Sequence, residues 1–149
     1  MTKHIGKLRE FKIVLLIIMV LSALAFPHFV GASKDAIAAK IVCDFNMISK
    51  AAMTAYSVND EFPASGEWGQ LPEEFTSYLP HDFKFCYKNV TYRWRCWSLP
   101  SGLPKDPSQK VLLGLQVRTE DAQLLNSIVT VYQGRITQLK EDQVTLVIL

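Results

Sequence analysis

The sequence predicts an α+β fold in which one long N-terminal helix packs on a small antiparallel sheet. Three observations carry this reading. An apolar run at residues 13–26 leads into an amphipathic stripe that continues to Ala55, and aromatic side chains alternate with charged ones from Phe83 to Trp97. Residues 110–149 then read as strand, helix, strand, strand. The chain has 149 residues, enough for one domain with a modest core once the apolar N-terminus is set aside. It divides into a basic leader at 1–12, an apolar helix at 13–32 and a head at 33–149.

The leader carries Lys3, Lys7, Arg9 and Lys12 against a single Glu10. Residues 33–149 hold twelve Lys and Arg against thirteen Asp and Glu, so the overall charge of +2 comes from the leader. That asymmetry orients the N-terminus toward the cytoplasm. A nearly neutral head argues against a nucleic-acid partner, which requires a strongly basic surface. The run from Ile13 to Phe26 is 14 residues long, short of the roughly 20 that span a bilayer. Continuing through Pro27, Phe29, Val30, Gly31 and Ala32 makes up the length, with His28 at the outer interface. The same segment also reads as a cleavable secretory signal, with Ala23-Leu24-Ala25 as its processing site.

Behind Pro27, which removes a backbone donor and is expected to kink the helix, Ile37, Ile41, Phe45, Ile48, Ala52 and Ala55 recur at helical spacing. Lys34, Lys40, Asp44 and Lys50 fall off that stripe and are read as its solvated side. Asn59 and Asp60 break the helix. Phe62 is expected to fold back onto its last turn and Pro63 to fix an extended exit.

Gly66, Gly69, Pro72 and Pro80 punctuate the next stretch, with two helical turns expected over Leu71–Leu79. Phe83, Phe85 and Tyr87, a turn near Asn89-Val90, and Tyr92, Trp94 and Cys96 then predict a hairpin with one aromatic face. Lys84, Lys88, Arg93 and Arg95 interleave with these aromatics, as in single-strand nucleic-acid sites. The alternation is better explained by aromatics covering the long helix and cations facing water. In the tail, Val111–Val117 is a strand, and Thr119 is expected to cap a helix with Glu120 and Asp121 in its first turn. Leu124, Leu125, Ile128, Val129 and Tyr132 are its buried face, Gly134 its end, and Ile136–Leu139 and Val144–Ile148 pair around Lys140–Gln143. Such a β-α-β-β tail resembles half of a ferredoxin-like domain.

The sequence gives little purchase to an enzyme. It contains no phosphate-binding loop, nucleophile elbow, zinc-protease helix or C-x-x-C pair. His81 is the one histidine in the head, and His81-Asp82 reads as an exposed turn. Cys43, Cys86, Cys96 and His81 lack zinc-ligand spacing, so neither a metal nor a cofactor is expected. In an oxidising compartment Cys86 and Cys96, on paired strands, are candidates for a bridge that leaves Cys43 over.

A lone carboxylate at the mouth of an apolar run has no use in an ordinary signal peptide. A basic leader ending in glycine, a glutamate near the start of the apolar segment and a proline seventeen residues later together resemble the N-terminus of type IV pilins and type II secretion pseudopilins; here Gly6, Glu10 and Pro27 carry the likeness. One departure stands at the processing site. The family has glycine, an aromatic, three residues and then glutamate, whereas Gly6 is followed by Lys7, Leu8, Arg9 and Glu10. Some major pseudopilins bind calcium in a late acidic loop, but the corresponding Pro100–Gln109 offers only Asp106, and no calcium site is expected.

The resemblance implies a non-enzymatic, single-pass inner-membrane protein with a cytoplasmic N-terminus and a periplasmic head. It further implies processing between Gly6 and Lys7 by a prepilin peptidase, and assembly through Glu10 and Pro27. The expected partners are other pilin or pseudopilin subunits and an inner-membrane assembly platform, within a pseudopilus or pilus. The alternative from the residues alone is a secreted binding module whose signal is removed.

Overall fold

The computed structural model describes residues 2–148, and the side chains of all of these except residues 2–9, 27, 28, 138 and 139. The chain is α+β. One helix, α1 (Thr2–Asn59), runs through the apolar segment and the amphipathic stripe without a break in its assignment, Pro27 included. Asp60, in the left-handed region at φ 59°, ends it. Phe62 then folds back, its ring stacked on Tyr56 at 4.2 Å between centroids and 14° between planes.

Five strands follow: β1 (Cys86–Tyr87), β2 (Val90–Ser98), β3 (Val111–Arg118), β4 (Arg135–Lys140) and β5 (Gln143–Val147). They form a wholly antiparallel sheet in the order β1-β2-β3-β5-β4. Helix α2 (Ala122–Val131) connects β3 to β4, and β5 returns between those two parallel strands, which realises the expected β-α-β-β tail. Both helices cover one face of the sheet. Lys34 reaches Asp121 at the start of α2 and Phe45 packs edge-on against Tyr132 beyond its end, so the helices lie side by side and run in the same direction.

The stripe on α1 is core, as its periodicity predicts. Ile41, Phe45, Ile48, Ala52 and Ala55 are buried, with Ala38 and Ala51 beside them and Ile37 packed at the margin. Opposite stand Tyr92 and Trp94 of β2, Leu113, Leu115 and Val117 of β3, and Val144 and Leu146 of β5. Burying each large side chain here contributes about 1.5–3 kcal/mol, and the small alanines let the helix approach the sheet.

Local differences from the sequence expectations have physical reasons. The first hairpin strand is only Cys86–Tyr87, with a turn at Lys88-Asn89 in which Lys88 has φ 53°. Beyond it the edge of β2 is already taken, because residues 63–69 run alongside. Gly69 N–H donates to Tyr92 O at 2.8 Å and Gly66 N–H to Trp94 O at 3.1 Å. Ser65 Oγ bonds both the N–H and the carbonyl of Cys96, and Trp94 Nε1 donates to Pro63 O. This loop closes an edge that would otherwise expose unpaired backbone groups.

The two turns expected at Leu71–Leu79 reduce to a 3₁₀ turn at Glu73–Phe75. The cap of α2 is Asp121, not Thr119. Its carboxylate accepts from the N–H groups of Gln123 and Leu124, while Thr119 Oγ1 accepts from Asp121 N–H one turn earlier. The helix stops at Val131 with Tyr132 extended, before Gly134, and Val129 is exposed.

Candidate functional site

Two halves of α1 differ in what covers them. From Phe11 to Phe29 the described apolar side chains all face outward; Phe11, Leu16, Met19, Leu24 and Phe29 are between 64% and 76% exposed. Among the described residues nothing packs on this segment, and it is long and apolar enough to cross a membrane by length and composition. Residues 13–32 make about 30 Å of helix, the thickness of a hydrocarbon core. Glu10 and Lys12 stand exposed at its start. Gly6 and Lys7, the processing residues suggested by the sequence, and the side chain of Pro27 lie outside the described side chains; their backbone is helical.

The junction with the head begins at Lys34. Its ammonium ion-pairs with Asp121 at 3.1 Å and bonds Gln123 Oε1, fixing α1 to the start of α2 one turn after the apolar half ends. Hydrogen bonds from the Leu124 N–H and from Lys34 hold the Asp121 carboxyl below the usual carboxylate range.

Further along α1, Asp44 departs from its expected place on the solvated side. It is 2% exposed and accepts from the Tyr92 hydroxyl at 3.0 Å, while Lys40, one turn back on α1, forms an ion pair with it. Burial, and then the Asp44 carboxylate, push the Tyr92 phenol far above its ordinary range. Lys40 also sits over the Tyr87 ring, 5.5 Å from its centroid. A surface cavity of about 320 Å³ opens beside this cluster between α1 and residues 80–87. The arrangement is a tie between helix and sheet. Each buried polar group in it has a partner, and the Tyr92 hydroxyl and Asp44 carboxylate are spent on each other.

The cysteines do not form the expected pair. Cys86 lies opposite Thr91, whereas Cys96 lies opposite Leu113, five residues further along β2, or about 16 Å at strand rise. All three cysteines are free, and burial pushes the Cys96 thiol up. His81 is exposed, and among the described residues no group of three or more His, Cys, Asp or Glu side chains is placed to hold a metal ion. Asp106 bonds Ser108 within its own loop.

Compared with known family models, curated proteins and solved structures, the chain matches none.

Proposed function

We propose that this chain is a membrane-anchored, non-enzymatic pilin-like subunit that assembles through its N-terminal helix into a pseudopilus or pilus. One observation supports this above the others: a single helix is bare and apolar over its first half and is core over its second. A bare apolar helix is stable only in lipid or against like helices. Because the same helix carries the head, packing the apolar halves of several copies arrays their heads around them. Glu10, alone among basic residues at the start of the run, would set register by pairing with a neighbour's positive group, a contact strengthened by apolar surroundings. The work such a protein does is mechanical, and its chemistry is burial.

A secreted module with a removed signal is the competing reading, carried by Ala23-Leu24-Ala25. The two are separated by the mature N-terminus and by fractionation. A pilin-like chain begins at Lys7, or keeps its leader, and stays with membranes in high salt, because apolar insertion is not screened. A mature terminus between Ser22 and Ser33, with the protein in the soluble fraction, would sink the proposal.

A further inference from the structure

The face of the sheet turned away from the two helices is as distinctive as the face they cover. Strand register sets out its rows. One row runs Arg95, Gly114, Val147, Arg135 across β2, β3, β5 and β4; the next is Arg93, Gln116, Thr145, Thr137, and a third holds Thr91, Arg118 and Gln143. None of these positions is Asp or Glu. Carboxylates do approach from loops: Glu67 lies 3.8 Å from Arg93, Asp106 lines a surface pocket with Arg135, and Glu120 and Asp142 line another with Thr91 and Arg118.

Next to the arginines lies an apolar cup of about 300 Å³ whose walls include Trp97, Leu99, Leu112 and Val147. Gly114 lies beneath the Trp97 wall of the cup. A Cβ there would stand 3.2 Å from the Trp97 ring and 3.0 Å from Thr145 Cγ2, so glycine lets the indole lie close over β3.

We propose that this outer face docks an acidic segment of another protein that carries an apolar side chain for the cup. Charge complementarity decides the class of partner. The indole of Trp97 is taken up by the sheet near Gly114 and by Arg95, whose guanidinium is 5.6 Å from the ring centroid. Trp68 is flanked by Arg118 at 4.4 Å and Arg93 at 5.8 Å. With their faces engaged by guanidiniums, the tryptophans are poor platforms for bases; Arg93 is held further by Gly66 O, to which its Nε donates at 3.0 Å, while Arg95 and Arg135 stand in the Val147 row beside the cup. Planar guanidiniums so held match carboxylates two-pronged. The near-neutral head lacks the broad field that gathers a polyanion, which again favours a short acidic segment over a nucleic acid. A second copy stacking through the bare helices is disfavoured here, because this face lies on the far side of the sheet from α1. The proposal concerns the head alone and stands whether or not the anchor reading holds.

The test uses the full chain in neutral detergent, titrated into labelled peptides followed by anisotropy: one alternating Glu with Leu, its Gln/Leu counterpart, its Lys/Leu counterpart, and an oligothymidylate. The Glu/Leu peptide should bind about tenfold or more tighter than the Gln/Leu peptide, weaken with salt, and lose about tenfold on Arg95→Gln with Arg135→Gln. Arg95→Glu with Arg135→Glu should transfer the preference to the Lys/Leu peptide, with circular dichroism unchanged. Equal binding of the Glu and Gln peptides, or indifference to both double variants, overturns the proposal. Tighter binding of oligothymidylate assigns the face to nucleic acid. Self-association of the wild-type chain that the Gln variant abolishes assigns it to a second copy.

Discussion

The Tyr92 hydroxyl donates to the Asp44 carboxylate at 3.0 Å across the interface between the long helix and the centre of the sheet. Both residues are essentially without solvent contact. The bond therefore fixes where along β2 the helix rests, a matter that apolar packing of similar-sized side chains leaves open.

Tyr92→Phe should preserve shape and leave the carboxylate, among the described residues, with Lys40 as its side-chain partner. The expected loss is about 1–3 kcal/mol, the cost of a buried acceptor deprived of a donor. Thermal unfolding of the full chain in detergent measures it, and an unchanged midpoint would show that water replaces the hydroxyl freely.

Phe45→Asp should unfold the head. Phe45 is 4% exposed and packs edge-on with Tyr132, so an aspartate there would be a buried charge without a partner, costing more than about 4 kcal/mol. Limited proteolysis reads this directly: a wild-type-like resistant fragment from the variant would remove the stripe from the core.

Acid should undo the tie at the start of α2. The Asp121 carboxyl is held below its unfolded value of about 3.9, so its contribution is present above that value and is lost as pH falls through the folded one. At neutral pH Asp121→Ala should cost about 1 kcal/mol, the usual worth of an N-cap. Melts of both proteins from neutral to strongly acidic pH should converge at the acid end; a gap that persists there would mean the side chain matters by packing and not by charge.

Glu10→Ala should leave membrane insertion intact, or improve it, and reduce cross-linked oligomers by about tenfold, since a charge-assisted contact is worth on the order of 1.5–3 kcal/mol. Wild-type cross-linking at wild-type membrane levels would make Glu10 a bystander.

Much of this fold was legible in the residues because periodicity reports burial. The spacing of Ile41, Phe45 and Ile48, the alternation at Tyr92 and Trp94, and the β-α-β-β tail all survive in the structure. So does the return of Phe62 onto the helix end. Periodicity fails where a polar residue is satisfied at long range. Asp44 looks solvated from its neighbours in sequence, and only the distant Tyr92 explains its burial. The pairing of residues 65–69 with β2 left no mark either, because its donors are glycine amides and a serine hydroxyl. Cys86 and Cys96 appeared bridgeable because both fall on the paired strands of the expected hairpin, and only the register, which sets Cys86 opposite Thr91, shows them five residues apart. For the candidate site, the bare helix was evident as an apolar run. The arginines on tryptophans were not, since Trp68 comes from a loop distant in sequence from Arg93 and Arg118.

Because one unbroken helix serves both halves, the angular phase between them is set by residue count. Each residue added near Gly31, where nothing packs within 4 Å, would turn the head by about 100° and lift it about 1.5 Å relative to the apolar half. A single insertion would aim the arginine face in a different direction while leaving every contact inside the head untouched. Four inserted residues would nearly restore the heading, about 40° off, at roughly 6 Å greater height. The stretch between Gly31 and Lys34 is thus a goniometer built into the backbone, and insertions there vary the head's bearing independently of its fold.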